Sequence, residues 1–193
     1  MKNFSVRSFV LIGMLSSLSF ILMMIKFPIP IFPSFLKVDF SDIPALIAAF
    51  TLGPVAAILV ELFKNVLDYI ASSSETGIPI GHLSNFASGI LFVLPTYWIF
   101  NRFKAKWGLV VSLISATLFM SIIMSLLNYF AILPAYIKLL NWPAMSTSEL
   151  RVMVVGGILP FNIVKGLIVT VVFVLLYSRL QHWLNKQITY KNS

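Results

Sequence analysis

The side chains able to do chemistry in this sequence fall into two sets. The first is Glu61, Lys64, Asn65 and Asp68, set within one apolar run. Their spacing of three and four places all of them on one helical face and lets Lys64 pair either acid. Such a stripe reads as a neutralised polar seam facing other helices, or else as a path for an ion or proton. The second set is dispersed: Asn85, Asn128, Asn162 and Lys165. An amide carries both donors and an acceptor, so several converging asparagines suit a neutral ligand with a mixed donor and acceptor edge. Phe35, Leu36, Phe40, Tyr129 and nearby methionines would suit a flat aromatic body, and one lysine among neutral groups favours at most a weak negative charge on it.

Catalytic patterns are missing from the sequence. It has no G-x-x-x-x-G-K-[ST] phosphate loop, no H-E-x-x-H pair and no G-x-S-x-G elbow. The absence of cysteine excludes a disulfide framework, a thiolate metal site and a CxxC motif. His82 and His182 are expected on opposite sides of a membrane, which denies them a shared metal, and Ser84 and Ser88 lack an acid placed to orient His82. The expectation is a protein that is no enzyme, with no catalytic residue, metal or cofactor. A lone carrier using the Glu61–Asp68 stripe, and a membrane enzyme built on His82 and Ser84, are the rival classes.

The elements that must position these residues follow from composition. Of 193 residues, 59% are hydrophobic and 10% charged, against about 25% charged in a soluble domain, and the mean hydropathy is +0.97. This predicts an all-α integral membrane protein, a single transmembrane domain over 1–193, whose net charge of +8 reflects loop bias and not nucleic-acid binding. At roughly 20 residues per crossing, six transmembrane helices are expected, at about 8–25, 43–52, 54–70, 82–101, 108–129 and 159–178. The first run is read as a retained helix and not a cleaved signal, because Lys26 and the prolines at 28, 30 and 33 follow it where a small-residue site would stand. Those prolines break the helix and open a long first extracellular loop to Asp42, while Gly53-Pro54 separates the second helix from the third.

Lys and Arg near span ends collect on the cytoplasmic side. Lys2 with Arg7, Arg102 with Lys104 and Lys106, and Arg179 with Lys186 and Lys191 then share that side only if an even number of crossings separates Arg7 from Arg102. Both termini are therefore expected in the cytoplasm, and Lys37, Asp39, Asp42, Glu75, Lys138 and Glu149 outside. Counting about 20 residues from the basic anchors brings Asn85, Asn128, and Asn162 with Lys165 to one depth near the outer face, beneath the first loop. Gly13 and Ser17, four apart, form a small-xxx-small pair that lets another helix approach closely.

The stretch Phe35-Leu36-Lys37-Val38-Asp39-Phe40-Ser41-Asp42-Ile43-Pro44-Ala45-Leu46, then Leu52-Gly53-Pro54, six short helices and the Gly13/Ser17 pair resemble the substrate-binding S component of energy-coupling factor vitamin transporters. The similarity extends over essentially the whole chain and is strongest to riboflavin-specific members. The resemblance implies a multi-pass protein of the cell membrane that binds riboflavin as transported ligand, not cofactor, with another vitamin or a flavin phosphate as alternatives. It implies contacts from Leu36, Val38, Asp39 and Phe40 in the loop, from Asn85, from Asn128 with Tyr129, and from Asn162 with Lys165. It also implies that the first helix docks on a transmembrane T subunit driven by two ATPase subunits, through Gly13 and Ser17, the latter standing where the family often has alanine. The third helix is left to scaffolding and coupling.

Overall fold

The computed structural model describes residues 5–72, 78–103 and 107–191, with side chains to Arg179. Lys2, Glu75, Lys104, Lys106 and the side chains of His182, Lys186 and Lys191, which entered the topology argument, lie outside the described residues. Helix α1 spans Val6–Met24, and the Ser5 side chain accepts a hydrogen bond from the Ser8 N–H at its start. The proline-rich chain after it stays irregular, apart from a two-residue antiparallel pair that an all-α expectation does not contain. There β1 (Phe27–Pro28) lies against β2 (Lys37–Val38), with Phe27 opposite Val38.

Next come α2 (Asp42–Leu52) and α3 (Pro54–Ser72), joined by Gly53 alone. Gly53 has φ 104°, a conformation open to glycine and costly for other residues. Asp42 and Lys64 stand equally far on either side of Gly53, yet Lys64 Nζ is 2.6 Å from Asp42 Oδ1. So α3 runs back alongside α2, and the break expected at Gly53-Pro54 is a full reversal. The remaining elements are α4 (Ile80–Arg102), α5 (Gly108–Leu127), α6 (Leu133–Leu139), α7 (Thr147–Met153) and α8 (Leu159–Lys191).

Two of the expected helices are longer than their sequence limits. The fifth continues past Tyr129 to Leu139 through a wide π turn over Asn128–Ile132, and α8 is entered from α7 through another over Val154–Ile158. Most of the stretch from 130 to 158, expected as an outer loop, is therefore helical. Its cause is visible in sequence: each π turn ends at a Leu-Pro pair, Leu133-Pro134 and Leu159-Pro160. Proline offers no N–H and crowds the carbonyl four residues back. A local i→i+5 register, with the Leu133 N–H on the Asn128 carbonyl and the Leu159 N–H on the Val154 carbonyl, lets the helix pass the obstacle.

Ion pairs and rings fix which helix ends meet. Asp68 Oδ2 lies 3.3 Å from Lys26 Nζ and 3.1 Å from His82 Nε2, gathering the ends of α1 and α3 with the start of α4. At the far end Phe50 of α2 packs on Phe100 of α4 and on Phe173 and Tyr177 of α8. Direction therefore alternates from α1 through α4. Among the described residues, four helical runs are long and apolar enough to cross a membrane: Val6–Met24, Ile80–Arg102, Gly108–Leu139 and Thr147–Arg179. α2, with 11 residues, is not one of them; it reaches only about 16 Å of a hydrocarbon core about 30 Å thick.

The core of this bundle is apolar around Leu46, Val60, Phe92, Leu113 and Phe173, but it encloses charge. Lys64, fully buried, holds Asp42 at 2.6 Å, Glu61 Oε2 at 2.8 Å and Ser41 Oγ at 2.8 Å. The stripe was expected to let Lys64 pair Glu61 or Asp68. It pairs Glu61 and, across the reversal, Asp42, whereas Asp68 is taken by Lys26 and His82. Gly89 of α4 faces the Glu61 carboxylate so closely that a Cβ would overlap it.

Removing one partner of a buried ion pair leaves an uncompensated charge, at about 3–5 kcal/mol. Lys64→Met should therefore sharply lower thermal stability in detergent, and Asp42→Asn combined with Lys64→Met should recover part of the loss. An unchanged melting temperature for the single variant would count against the network as a structural element.

Candidate ligand-binding site

A cavity of about 110 Å³ opens at the end of the bundle where Lys26, Asp68 and His82 meet. Phe35, Leu36 and Lys37 of the 27–41 loop form one side, and α4 contributes Gly81, Ser84, Asn85 and Ser88. Met124 and Asn128 come from the end of α5, Ile132 and Tyr136 from the segment beyond it, and Ile158, Phe161, Asn162 and Lys165 from the entry to α8. Both π turns thus border the cavity: Asn128 opens the first and Ile158 closes the second.

The three asparagines expected at one depth do meet in this wall, together with Lys165. Asn85 Oδ1 is buried without a hydrogen-bond partner, an acceptor that a ligand donor would satisfy. Asn128 spends one N–H on the Met124 carbonyl at 2.8 Å, which fixes the orientation of its amide. Lys165, 5% exposed, points its Nζ to 3.5 Å from Asp39 Oδ2 and 3.8 Å from Asp42 Oδ2. Its charge is thereby balanced from behind the wall. Asp39 is itself held by the Ser41 N–H at 2.9 Å and by the Ser41 hydroxyl. Burial alone would push the Asp39 carboxyl up, but Lys165, Lys64 and the Ser41 hydrogen bonds outweigh it and hold it below its usual value.

Of the expected contact residues, Leu36, Asn85, Asn128, Asn162 and Lys165 line the cavity, and Val38, Asp39, Phe40 and Tyr129 do not. Val38 is fully buried, Phe40 packs on the main core, and Tyr129 sits in a small apolar cluster with Leu133, Val154 and Ile158. Sequence reasoning missed Lys37, Gly81, Ile132, Tyr136, Ile158 and Phe161. Ser84 and Ser88, which enter the sequence reading only as neighbours of His82, both lie in the wall. Tyr136 and Ile158 were out of reach because both fall in the stretch read as loop. Gly13 and Ser17 lie on the exposed side of α1; nothing stands within 4 Å of a Cβ placed on Gly13, and the Ser17 hydroxyl donates to the Gly13 carbonyl at 3.0 Å.

The family described as ECF transporter, substrate-specific component, matches residues 7–177. The chain belongs to that family. It is 50% identical over 182 residues to the riboflavin transporter FmnP of Bacillus subtilis (strain 168), covering 94% of this chain and 96% of that protein. It is 44% identical over 180 residues to the riboflavin transporter RibU of Staphylococcus aureus (strain TCH60), covering 93% of each. A solved structure described as "Structure and mechanism of the S component of a bacterial ECF transporter" superposes with a TM-score of 0.78 at 44% identity, over 92% of this chain and 97% of that one. This S component is a membrane protein of the transporter class, and its relatives are named transporters, not enzymes.

The exposed position of the α1 pair generates an outcome specific to this S component. Gly13→Leu and Ser17→Leu should each change the stability of the isolated protein by no more than about 0.5 kcal/mol, as exposed substitutions do. Gly89→Val should be strongly destabilising by overlap with Glu61. Melting curves in detergent separate the two, and a large loss at Gly13 would mean that the pair packs internally.

Proposed function

We propose that this S component captures riboflavin from outside the cell, as the substrate-specificity subunit of an ATP-driven energy-coupling factor importer in the cell membrane. The observation that carries this reading is the wall of Asn85, Asn128, Asn162 and charge-balanced Lys165 beneath a hydrophobic loop, in a chain half identical to a named riboflavin transporter. Riboflavin is neutral, carries acceptors and an N–H donor along one edge of a flat tricyclic body, and adds hydroxyls on its ribityl chain. Amides can serve either polarity of that edge, and Phe35, Leu36, Ile132 and Phe161 offer apolar surface to its body. Because Asp39 and Asp42 already balance Lys165, the pocket suits a ligand without net charge.

The same reading treats 1–193 as a single transmembrane unit with six crossings, both termini cytoplasmic and a long first extracellular loop. The reversal at Gly53 supports it, since α2 and α3 then add an even number of passes between Arg7 and Arg102. Gly13 and Ser17 present the α1 face for a T subunit, with two ATPase subunits supplying the energy. The sequence has no phosphate loop of its own. The Glu61–Asp68 stripe is divided between two ion-pair systems, which removes the feature that favoured an ion path and a lone carrier.

Riboflavin titration by fluorescence quenching tests the ligand. Asn128→Ala, Asn162→Ala and Lys165→Met should each weaken binding by about 1–3 kcal/mol, roughly 5- to 150-fold in Kd, while Asp68→Asn leaves affinity nearly unchanged. Unaltered affinity in all three pocket variants with loss in Asp68→Asn would move the pocket to other helices. Topology is read separately, since the chain has no native cysteine. A cysteine at Phe103 should react only from the cytoplasm, and one at Ile31 only from outside; external labelling at 103 would remove the six-crossing arrangement.

A further inference from the structure

Trp142 lies outside the cavity wall, yet it touches two residues that form it. Its indole stacks on Tyr136 with ring centroids 4.8 Å apart and an angle of 28°, and meets Phe35 edge-on at 5.3 Å and 72°. Phe35 comes from the loop after α1 and Tyr136 from α6, and both line the cavity. The Tyr136 hydroxyl in turn sits over the start of α4, 3.3 Å from where a Cβ on Gly81 would be.

The local chain is arranged to hold the indole there. α6 closes with the Leu140 N–H on the Tyr136 carbonyl at 3.1 Å, and Asn141 follows with φ 51°, a left-handed residue of the type that tolerates it. Pro143 keeps Trp142 out of the helical region, so the chain doubles back and the ring falls on Tyr136. A tryptophan kept merely as an interfacial anchor would have no need of this turn, nor of two ring partners that come from different elements of the cavity wall.

We propose that Trp142 is a positioning residue. Without contacting the ligand, its indole braces Phe35 against Tyr136, tying the loop after α1 to α6 at the cavity wall, and thereby sets how fast the site opens and the ligand leaves. Two aromatic contacts are lost with the ring, which corresponds to opening and dissociation faster by on the order of tenfold.

Two measurements test this, and the first needs no ligand. With Ser88→Cys as a probe in the cavity wall, a membrane-impermeant maleimide should label the Trp142→Ala protein about tenfold faster than the protein retaining Trp142, and Trp142→Phe should restore the slower rate. The second rests on the reading of riboflavin as ligand: stopped-flow release of riboflavin should accelerate about tenfold in Trp142→Ala and recover in Trp142→Phe. Where Trp142→Ala does not yield monodisperse protein, Trp142→Leu, which keeps apolar bulk without a ring, carries both arms. Unchanged labelling, or a Phe variant that behaves like Ala, overturns the brace. Failure of the protein with native Trp142 to bind riboflavin overturns the ligand assignment instead, and labelling still decides the role of Trp142.

Discussion

A fully buried ammonium has to be answered by carboxylates, and Lys64 imposes that demand on the fold. Glu61, one turn earlier on the same helix, meets part of it. Asp42 meets the rest only because Gly53 reverses the chain and brings the start of α2 level with the middle of α3. The demand then spreads. Ser41 accepts the Lys64 N–H and donates to Asp39, whose carboxylate reaches Lys165 in α8, and the Ser19 hydroxyl of α1 donates to the Ser41 carbonyl. One connected polar network thus touches α1, the loop, α2, α3 and α8 inside an otherwise apolar bundle.

Lys165 is where this network surfaces in the cavity. Its ammonium is oriented from behind by Asp39 and Asp42, so the wall it shares with Asn162 is held in place by groups that a ligand need not touch. The amides are placed by a different device. Two Leu-Pro pairs force wide turns at 128–132 and 154–158, and these turns shift the helical register where Asn128 and Ile158 face the cavity. A straight helix through either site would rotate those side chains relative to the α4 wall that carries Asn85.

The sequence made the amide set legible because depth in a membrane can be counted from basic anchors, and Asn85, Asn128, Asn162 and Lys165 met as counted. It also revealed the break at Gly53-Pro54, since glycine followed by proline interrupts any helix. What it hid depended on tertiary pairing or on altered helical register. Periodicity showed Lys64 beside Glu61 and Asp68, but a partner across a reversal, Asp42, has no local signature. Counting about 20 residues from the basic anchors stopped the fifth helix at Tyr129 and began the sixth at Leu159, and the Leu-Pro pairs at 133–134 and 159–160 do not by themselves say whether a helix ends there or passes through a π turn, so Tyr136 and Ile158 fell in a stretch read as loop. Val38, Asp39 and Phe40 sit beside Leu36 in the chain, yet a loop with its own β pair turns only some of its side chains to the cavity.

The exposed face of α1 and the cavity share no lining residue, for α1 packs on α2 and α3 while the wall comes from α4 onward and from the loop. A partner seated on Gly13 and Ser17 would therefore leave every wall residue untouched, and capture and docking can change by separate substitutions. They are still not independent. The 27–41 loop is the covalent continuation of α1, it supplies Phe35, Leu36 and Lys37 to the wall, and Ser19 of α1 is hydrogen-bonded to its last residue, Ser41. Any rotation of α1 that a partner favours must pull on that loop or break the Ser19 bond. The same loop that forms one side of the cavity is thus the shortest mechanical link between the proposed docking face and the proposed pocket.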